Sequence, residues 1–167
     1  MSGEAAPLVV VMGVSGVGKS SVGRLLADRL GVEYADGDDF HSESNVAAMQ
    51  SGRALSDDQR QPWLRAVAGW LRTHDAEGGV VSCSALRRSH RDVLVAAAPR
   101  ATFLHLSGEP GLVRARMESR RHFMPASLLD SQLATLEPPE EDERHLTCDV
   151  AASQEEIVED FLAWCRS

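Results

Sequence analysis

Short apolar runs alternate with longer amphipathic stretches along the whole chain. A continuous apolar run extends from Leu8 to Met12 and ends at a glycine. Such runs are typical of strands that are buried on both faces of a sheet. Similar short runs predict further strands at 32–35, 80–83, 102–106 and 146–150.

Helical spacing of apolar residues fills the intervals between these strands. Gly31 is a predicted C-cap of the first helix, and Ser153 with Glu156 forms a capping-box signature for the last. The predicted helices lie at 20–30, 45–50, from Pro62 to the Gly78-Gly79 break, 88–98, 109–120 and from 153 onward. This alternation predicts an α/β fold in which helices cover both faces of a parallel sheet.

A polar segment at 121–144 interrupts the alternation, and we interpret it as a long excursion of the kind that forms lids. The chain has 167 residues and no internal repeat or linker, so we predict one domain over 1–167 with a lid at about 119–138. No apolar run approaches the roughly 18 residues of a membrane span. The first residues lack the basic region of a signal peptide.

Three isolated cysteines, Cys83, Cys148 and Cys165, form no C-x-x-C pair and no disulfide framework. They are interpreted as reduced, buried thiols, and a metal site built on them is not expected. Together with the absence of targeting features, this usage predicts a cytoplasmic protein.

The segment from Gly13 to Ser20 fits the phosphate-loop pattern G-x-x-x-x-G-K-[ST] without a mismatch, between a predicted strand and a predicted helix. Its glycines allow backbone N–H groups to converge, and the helix N-terminus adds a favourable dipole. Lys19 can reach the β- and γ-phosphates of a nucleotide, and the Ser20 hydroxyl can ligate Mg²⁺. The candidate nucleotide-binding residues of this loop are Gly13, Ser15, Gly16, Val17, Gly18, Lys19, Ser20 and Ser21.

Acidic residues follow the second predicted strand, at Asp36, Asp38 and Asp39, whereas the strand at 80–83 runs into Ser84. We therefore place the metal and base chemistry in this acidic turn. A carboxylate there can accept or orient the proton of an attacking hydroxyl. Whether Asp36 or Asp38 acts as the base or belongs to the metal shell stays open at this point.

The amount and the distribution of charge limit the kinds of ligand that the protein is expected to bind. The net charge of −8 disfavours a general nucleic-acid-binding protein. Sixteen of the 17 basic residues are arginines, and Lys19 is the only lysine. Eight arginines and three acids lie between Ser84 and Pro125, which makes that segment +5.

Several blocks of the sequence resemble the gluconate kinase family, and the resemblance spans nearly the whole chain. The blocks are Asp36 to His41, Asn45, Met49, Gly52, Leu55, Asp57, Arg60, Pro62, Trp63, Cys83 to Leu86, Arg91-Asp92, His122 to Pro125, Leu128-Leu129, Ser131-Gln132 and Leu136-Glu137. The family is similar in fold to shikimate and adenylate kinases. The resemblance implies a three-layer α/β/α P-loop kinase fold with a five-stranded parallel sheet and a moving lid.

The resemblance also implies an activity, the transfer of the γ-phosphoryl group of ATP to the 6-hydroxyl of D-gluconate with Mg²⁺. Members are often homodimers. No nucleic acid or membrane partner is implied.

Site roles follow from the same resemblance, residue by residue. Asp38 would hold the acceptor hydroxyl, Ser20 and Asp36 would serve the metal, and Lys19 and a lid arginine would stabilise transferring charge. Arg116 could stack on adenine. The implied acceptor-binding residues are Asp36, Asp38, His41, Arg60, Ser84, Arg91 and His122, and the lid arginine is Arg120, with Arg121 as the alternative.

Other candidates receive ordinary interpretations. We interpret Trp63 and Trp70 as core residues, Glu140 to Glu143 as a solvated run, and Arg87 and Arg88 as surface charges. Two alternatives to gluconate phosphorylation remain. One is a kinase acting on shikimate or a nucleoside monophosphate, and the other is a P-loop switch or regulatory ATPase. The switch is disfavoured because its usual aspartate on the third strand is missing.

Overall fold

The computed structural model describes residues 6–119 and 126–167 and contains one five-stranded parallel sheet. Its strands are β1 (Leu8–Met12), β2 (Tyr34–Asp36), β3 (Gly79–Ser82), β4 (Thr102–Ser107) and β5 (His145–Asp149). The strand order is β2-β3-β1-β4-β5, with β1 paired to β3 on one side and β4 on the other. The predicted parallel α/β architecture is confirmed.

Helices cover both faces of this sheet. They are α1 (Lys19–Leu30), α2 (Glu43–Gln50), α3 (Asp57–Thr73), α4 (Arg88–Ala97), α5 (Pro110–Ser119), α6 (Ala126–Thr135) and α7 (Gln154–Arg166). The predicted caps of α1 at Gly31 and of α7 at Ser153 are both present.

The apolar run of β1 is divided between two cores. Val9 and Val11 pack with α1 and α7, whereas Leu8, Val10 and Met12 pack with α3 and α4. All five residues of β1 are buried. A central strand of this kind needs apolar side chains on both faces, which explains the unbroken run in the sequence.

The predicted start of one helix was wrong. Helix α3 begins at Asp57, five residues before Pro62, because Ser56 and Gln59 form a capping box ahead of it. The predicted excursion at 121–144 contains helix α6, whose Leu128 and Leu129 are buried. Residues 120–125, at the start of the predicted lid, lie outside the described part of the chain, so the lid stays a prediction. No helix in 6–119 or 126–167 is long and apolar enough to cross a membrane.

Two buried histidines carry ring nitrogens without hydrogen-bond partners among the described residues. His90 accepts the Arg87 N–H at its Nδ1, and His105 shares a hydrogen bond with Thr147, but the Nε2 atom of each is unpartnered. Burial, with nearby arginines adding to it, lowers the pKa of both rings to about 4. Both side chains are therefore neutral at neutral pH.

We predict that the free energy of unfolding decreases as pH falls from about 6.5 to about 4. In that interval the histidines of the unfolded chain bind protons that His90 and His105 in the folded chain do not accept. Urea unfolding at several pH values would measure the slope, and His105→Asn should make it shallower. A slope unchanged by His105→Asn would contradict the prediction for that residue.

Candidate active site

The loop between β1 and α1 forms a small cavity at the carboxyl end of the sheet. Its volume is about 100 Å³, and it is lined by loop and helix residues together with Asp36, Asp38 and Ser82. Gly16 has a φ of 87°, and a Cβ there would lie 2.4 Å from Cγ of Met117, so a side chain would not fit. Helix α1 begins at Lys19 and places its N-terminus at this cavity, where the helix dipole favours a negatively charged ligand.

Lys19 lies inside this cavity and bonds to its own loop. Its Nζ donates to the carbonyl oxygens of Gly13 at 2.9 Å and Val14 at 3.0 Å. Burial lowers the pKa of the ammonium group, and the Asp38 and Asp36 carboxylates oppose that shift. The structure thus places the only lysine of the chain between the phosphate-loop motif and two acids.

The acidic turn at 37–40 is fixed to the phosphate loop through Asp36. One carboxylate oxygen of Asp36 accepts the Ser20 hydroxyl at 2.9 Å, and the other accepts the Asp38 N–H at 3.0 Å. Asp38 follows in a 3₁₀ turn and lines the same cavity. Two oxygen donors, from Ser20 and Asp36, therefore lie together beside the loop.

Trp63 holds the other end of this turn. Its buried indole Nε1 donates to the Gly37 carbonyl at 2.6 Å, and its ring stacks on His41 with centroids 4.3 Å apart. Burial, reinforced by Arg60, lowers the pKa of His41 to about 4. Trp63 is a core residue as predicted, but it also positions the acidic turn and keeps a neutral imidazole beside it.

A second cavity, of about 280 Å³, lies beside the phosphate loop. Its walls come from α3, α6 and the segment between β3 and α4, and its polar lining comprises Ser56, Asp57, Arg60, Arg87, Ser131, Gln132 and Thr135. Burial lowers the pKa of the Arg60 guanidinium; Asp57, 3.5 Å away, opposes this and Arg87 reinforces it. Two arginines line this cavity, and their positive charge makes it suited to an anion.

A third cavity, of about 230 Å³, lies on the other side of the loop. Gly16, Val17 and Gly18 form one wall of this cavity. The other walls come from Arg116, from the turn that follows β5 and from α7. Arg116 is therefore placed beside the phosphate loop, where the sequence predicted a group that contacts the nucleotide base.

The structure brings together most of the predicted site residues. Ser84 lies next to the loop, since its backbone carbonyl accepts the Gly13 N–H at 3.3 Å. Arg120 and His122 lie outside the described residues, so their roles stay predictions. The same is true of the alternative, Arg121.

Arg91 does not join the other predicted acceptor-binding groups. Its side chain is 1% exposed, and its guanidinium binds both carboxylate oxygens of Glu143 and the Ala85 carbonyl. Burial opposes ionisation of Glu143, but hydrogen bonds from Arg91 and the Glu140 N–H outweigh it and lower the pKa of that carboxyl. The prediction that Glu140 to Glu143 is wholly solvated was wrong, because Glu143 is 7% exposed.

Sequence reasoning missed two residues of the second cavity. Arg87 was interpreted as a surface charge, and it is exposed as predicted, but it also borders the cavity with Arg60. Gln132 was noted only as part of a family block, although its side chain contacts the phosphate loop. The signal available for Arg87 was its position directly after Cys83 to Leu86, at the end of a predicted central strand.

Comparison with known proteins identifies a matching family model and similar sequences. The family model described as shikimate kinase matches residues 15–166. A gluconokinase from Gluconobacter oxydans (strain 621H) is 46% identical over 138 residues, which are 81% of this chain and 78% of that protein.

Two solved structures are similar in fold and sequence. A gluconokinase from Sinorhizobium meliloti 1021 has a TM-score of 0.87 at 46% identity, covering 95% of this chain and 90% of that one. A sugar kinase from Janibacter sp. HTCC2649 has a TM-score of 0.92 at 46% identity, covering 96% and 95%.

We predict that Gly37→Ala damages the site through the backbone. A Cβ at this position would lie 2.2 Å from the Ser82 carbonyl oxygen, so the acidic turn would have to move away from β3. We expect a loss of about 1–3 kcal/mol in the free energy of unfolding and weaker ATP binding. Urea unfolding and ATP titration calorimetry would measure both.

The matched control is Gly69→Ala within α3, where a Cβ would meet nothing within 4 Å. It should stabilise the fold by about 0.5–1 kcal/mol and leave ATP binding unchanged. Equal behaviour of the two variants would contradict the close approach of Gly37 to β3.

Proposed function

The chain belongs to the gluconokinase family of P-loop kinases, and from that premise we propose that it transfers the γ-phosphoryl group of ATP to the 6-hydroxyl of D-gluconate. The products would be 6-phosphogluconate and ADP. The observation that carries the proposal is the cavity between Arg60 and Arg87, which lies beside the phosphate loop and suits a polar, anionic acceptor.

The phosphate loop and the acidic turn would divide the work of transfer. The acceptor hydroxyl oxygen would form a bond to the γ-phosphorus as the bond to the ADP oxygen breaks. Asp38 would orient that hydroxyl and take its proton, and Lys19 would stabilise the negative charge on the phosphoryl oxygens. Arg120, or Arg121, would add positive charge from the lid and exclude water.

Mg²⁺ fits the oxygen donors present. Ser20 and Asp36 supply a hydroxyl and a carboxylate side by side, which matches the preference of Mg²⁺ for one or two protein oxygens completed by phosphates and water. No cluster of three or more His, Cys, Asp or Glu side chains able to hold a metal occurs in the described ranges. When bound, the ion would neutralise negative charge on the phosphates of ATP.

Different residues would bind the carboxylate and the hydroxyl groups of the acceptor. Arg60 and Arg87 would bind the carboxylate of gluconate, and Ser131, Gln132 and Thr135 offer hydrogen-bonding groups to its hydroxyls. His41, neutral and stacked on Trp63, would lie beside the sugar acid as a hydrogen-bonding group rather than a cation. Arg91 would act indirectly, by fixing the wall that carries Arg87.

The remaining parts of the proposal concern the protein's setting. We expect a homodimer in the cytoplasm, as the family resemblance implies. Size-exclusion chromatography with light scattering would measure the oligomeric state.

A direct test is ADP release with ATP, Mg²⁺ and a panel of gluconate, shikimate, AMP and neutral sugars. We predict that only gluconate stimulates release well above background. Lys19→Ala should abolish transfer while leaving the unfolding midpoint close to that of the wild type. Stimulation by shikimate or AMP instead of gluconate would show that the acceptor is misassigned.

We predict that Arg87→Met raises the KM for gluconate about tenfold or more with a smaller change in kcat, because a carboxylate loses a charged hydrogen-bond partner. The KM for ATP should change little. Arg65→Met, at an exposed position on α3, is the matched control and should leave both constants unchanged. An unaltered gluconate KM in Arg87→Met would remove Arg87 from the acceptor site.

A further inference from the structure

One hydrogen bond joins the two cavities of the active site. The backbone N–H of Ser15, in the phosphate loop, donates to Oε1 of Gln132 on α6 at 2.6 Å. Ser15 lines the phosphate cavity, and Gln132 lines the cavity of Arg60 and Arg87. The contact spans 117 positions of sequence, so it links parts of the chain that are not neighbours along it.

The chemistry of a carboxamide suits this position. Its oxygen accepts a hydrogen bond from the loop, while its NH₂ group keeps two donors. No second hydrogen bond of Gln132 to a described residue accompanies the contact with Ser15. Because Gln132 lines the cavity, we infer that these donors serve a hydroxyl oxygen there.

The restricted access of water makes this hydrogen bond difficult to replace. Ser15 is 9% exposed and the hydrogen bond is partly buried, so the access of water to the Ser15 N–H is restricted. Loss of the acceptor would leave a partly buried donor without its partner in the loop proposed to hold the phosphates. The position of α6 is thus tied to the conformation of the loop.

We propose that Gln132 is a positioning residue that couples the two substrates. Its carbonyl oxygen fixes the loop at Ser15, and its NH₂ group binds an acceptor hydroxyl, so that an occupied acceptor cavity favours the loop conformation that holds the nucleotide. The inference rests on the proposed function for the identity of the acceptor. It adds a link between acceptor and nucleotide binding to that function.

The test uses Gln132→Met, which keeps the length of the side chain but lacks both the carbonyl and the NH₂ group. The affinity for a non-hydrolysable ATP analogue is measured with and without saturating gluconate. In the wild type we expect gluconate to tighten binding at least about fivefold, and in Gln132→Met we expect that factor to fall close to one. Gln50→Met, exposed at the end of α2, is the matched control and should behave as the wild type.

A second variant separates the two halves of the carboxamide. Gln132→Glu keeps an oxygen that can accept the Ser15 N–H but loses the NH₂ donors. Hydrogen exchange of the Ser15 amide should therefore be slow in the wild type and in Gln132→Glu and fast in Gln132→Met, while coupling to gluconate is lost in both variants. A merely structural role for Gln132 would shift the unfolding midpoint without changing the coupling factor.

The outcomes distinguish this inference from the proposed function. If gluconate does not affect nucleotide binding to the wild type and is not phosphorylated, the proposed function fails and the coupling fails with it. If gluconate is phosphorylated and Gln132→Met retains the wild-type coupling factor, the coupling alone is overturned. Rapid exchange of the Ser15 amide in the wild type would also overturn it.

Discussion

The buried ion pair between Arg91 and Glu143 is the constraint on which the acceptor side of the molecule depends. A charged guanidinium that is 1% exposed is tolerated only because Glu143 and the Ala85 carbonyl satisfy it. These contacts tie the segment between β3 and α4 to the segment that precedes β5. Ala85 itself has a φ of 46°, a conformation that needs such support from its surroundings.

Besides this ion pair, single hydrogen bonds between distant parts of the chain hold the site together. Ser20 binds Asp36, Trp63 binds Gly37, and Gln132 binds Ser15. Each contact joins a helix to a strand end or loop at the carboxyl end of the sheet, where ligands commonly bind in parallel α/β folds. The helices therefore position the loops that the strands bring together, and neither layer alone defines the cavities.

Features that depend on local sequence patterns could be predicted from the sequence. The contacts of individual side chains with distant residues mostly could not. The apolar run of β1, the position of the phosphate-loop motif between a strand and a helix, and the cap at Ser153 are local signals, and all three structural predictions are confirmed. Arg87 and Arg91 look alike in the sequence, yet Arg91 is buried against Glu143 while Arg87 lines a cavity. That difference is set by a carboxylate 52 residues away, which no spacing rule contains.

The single lysine has a consequence for chemical modification. Lys19 is the only side-chain amine of the chain, so acylation, acetylation or ubiquitin attachment at a lysine side chain has one possible target, and that target is the phosphate loop. Its partial burial and its hydrogen bonds to Gly13 and Val14 limit access to it. Amine-directed labelling of this protein would therefore report on the state of one loop, against a background limited to the chain's α-amino group.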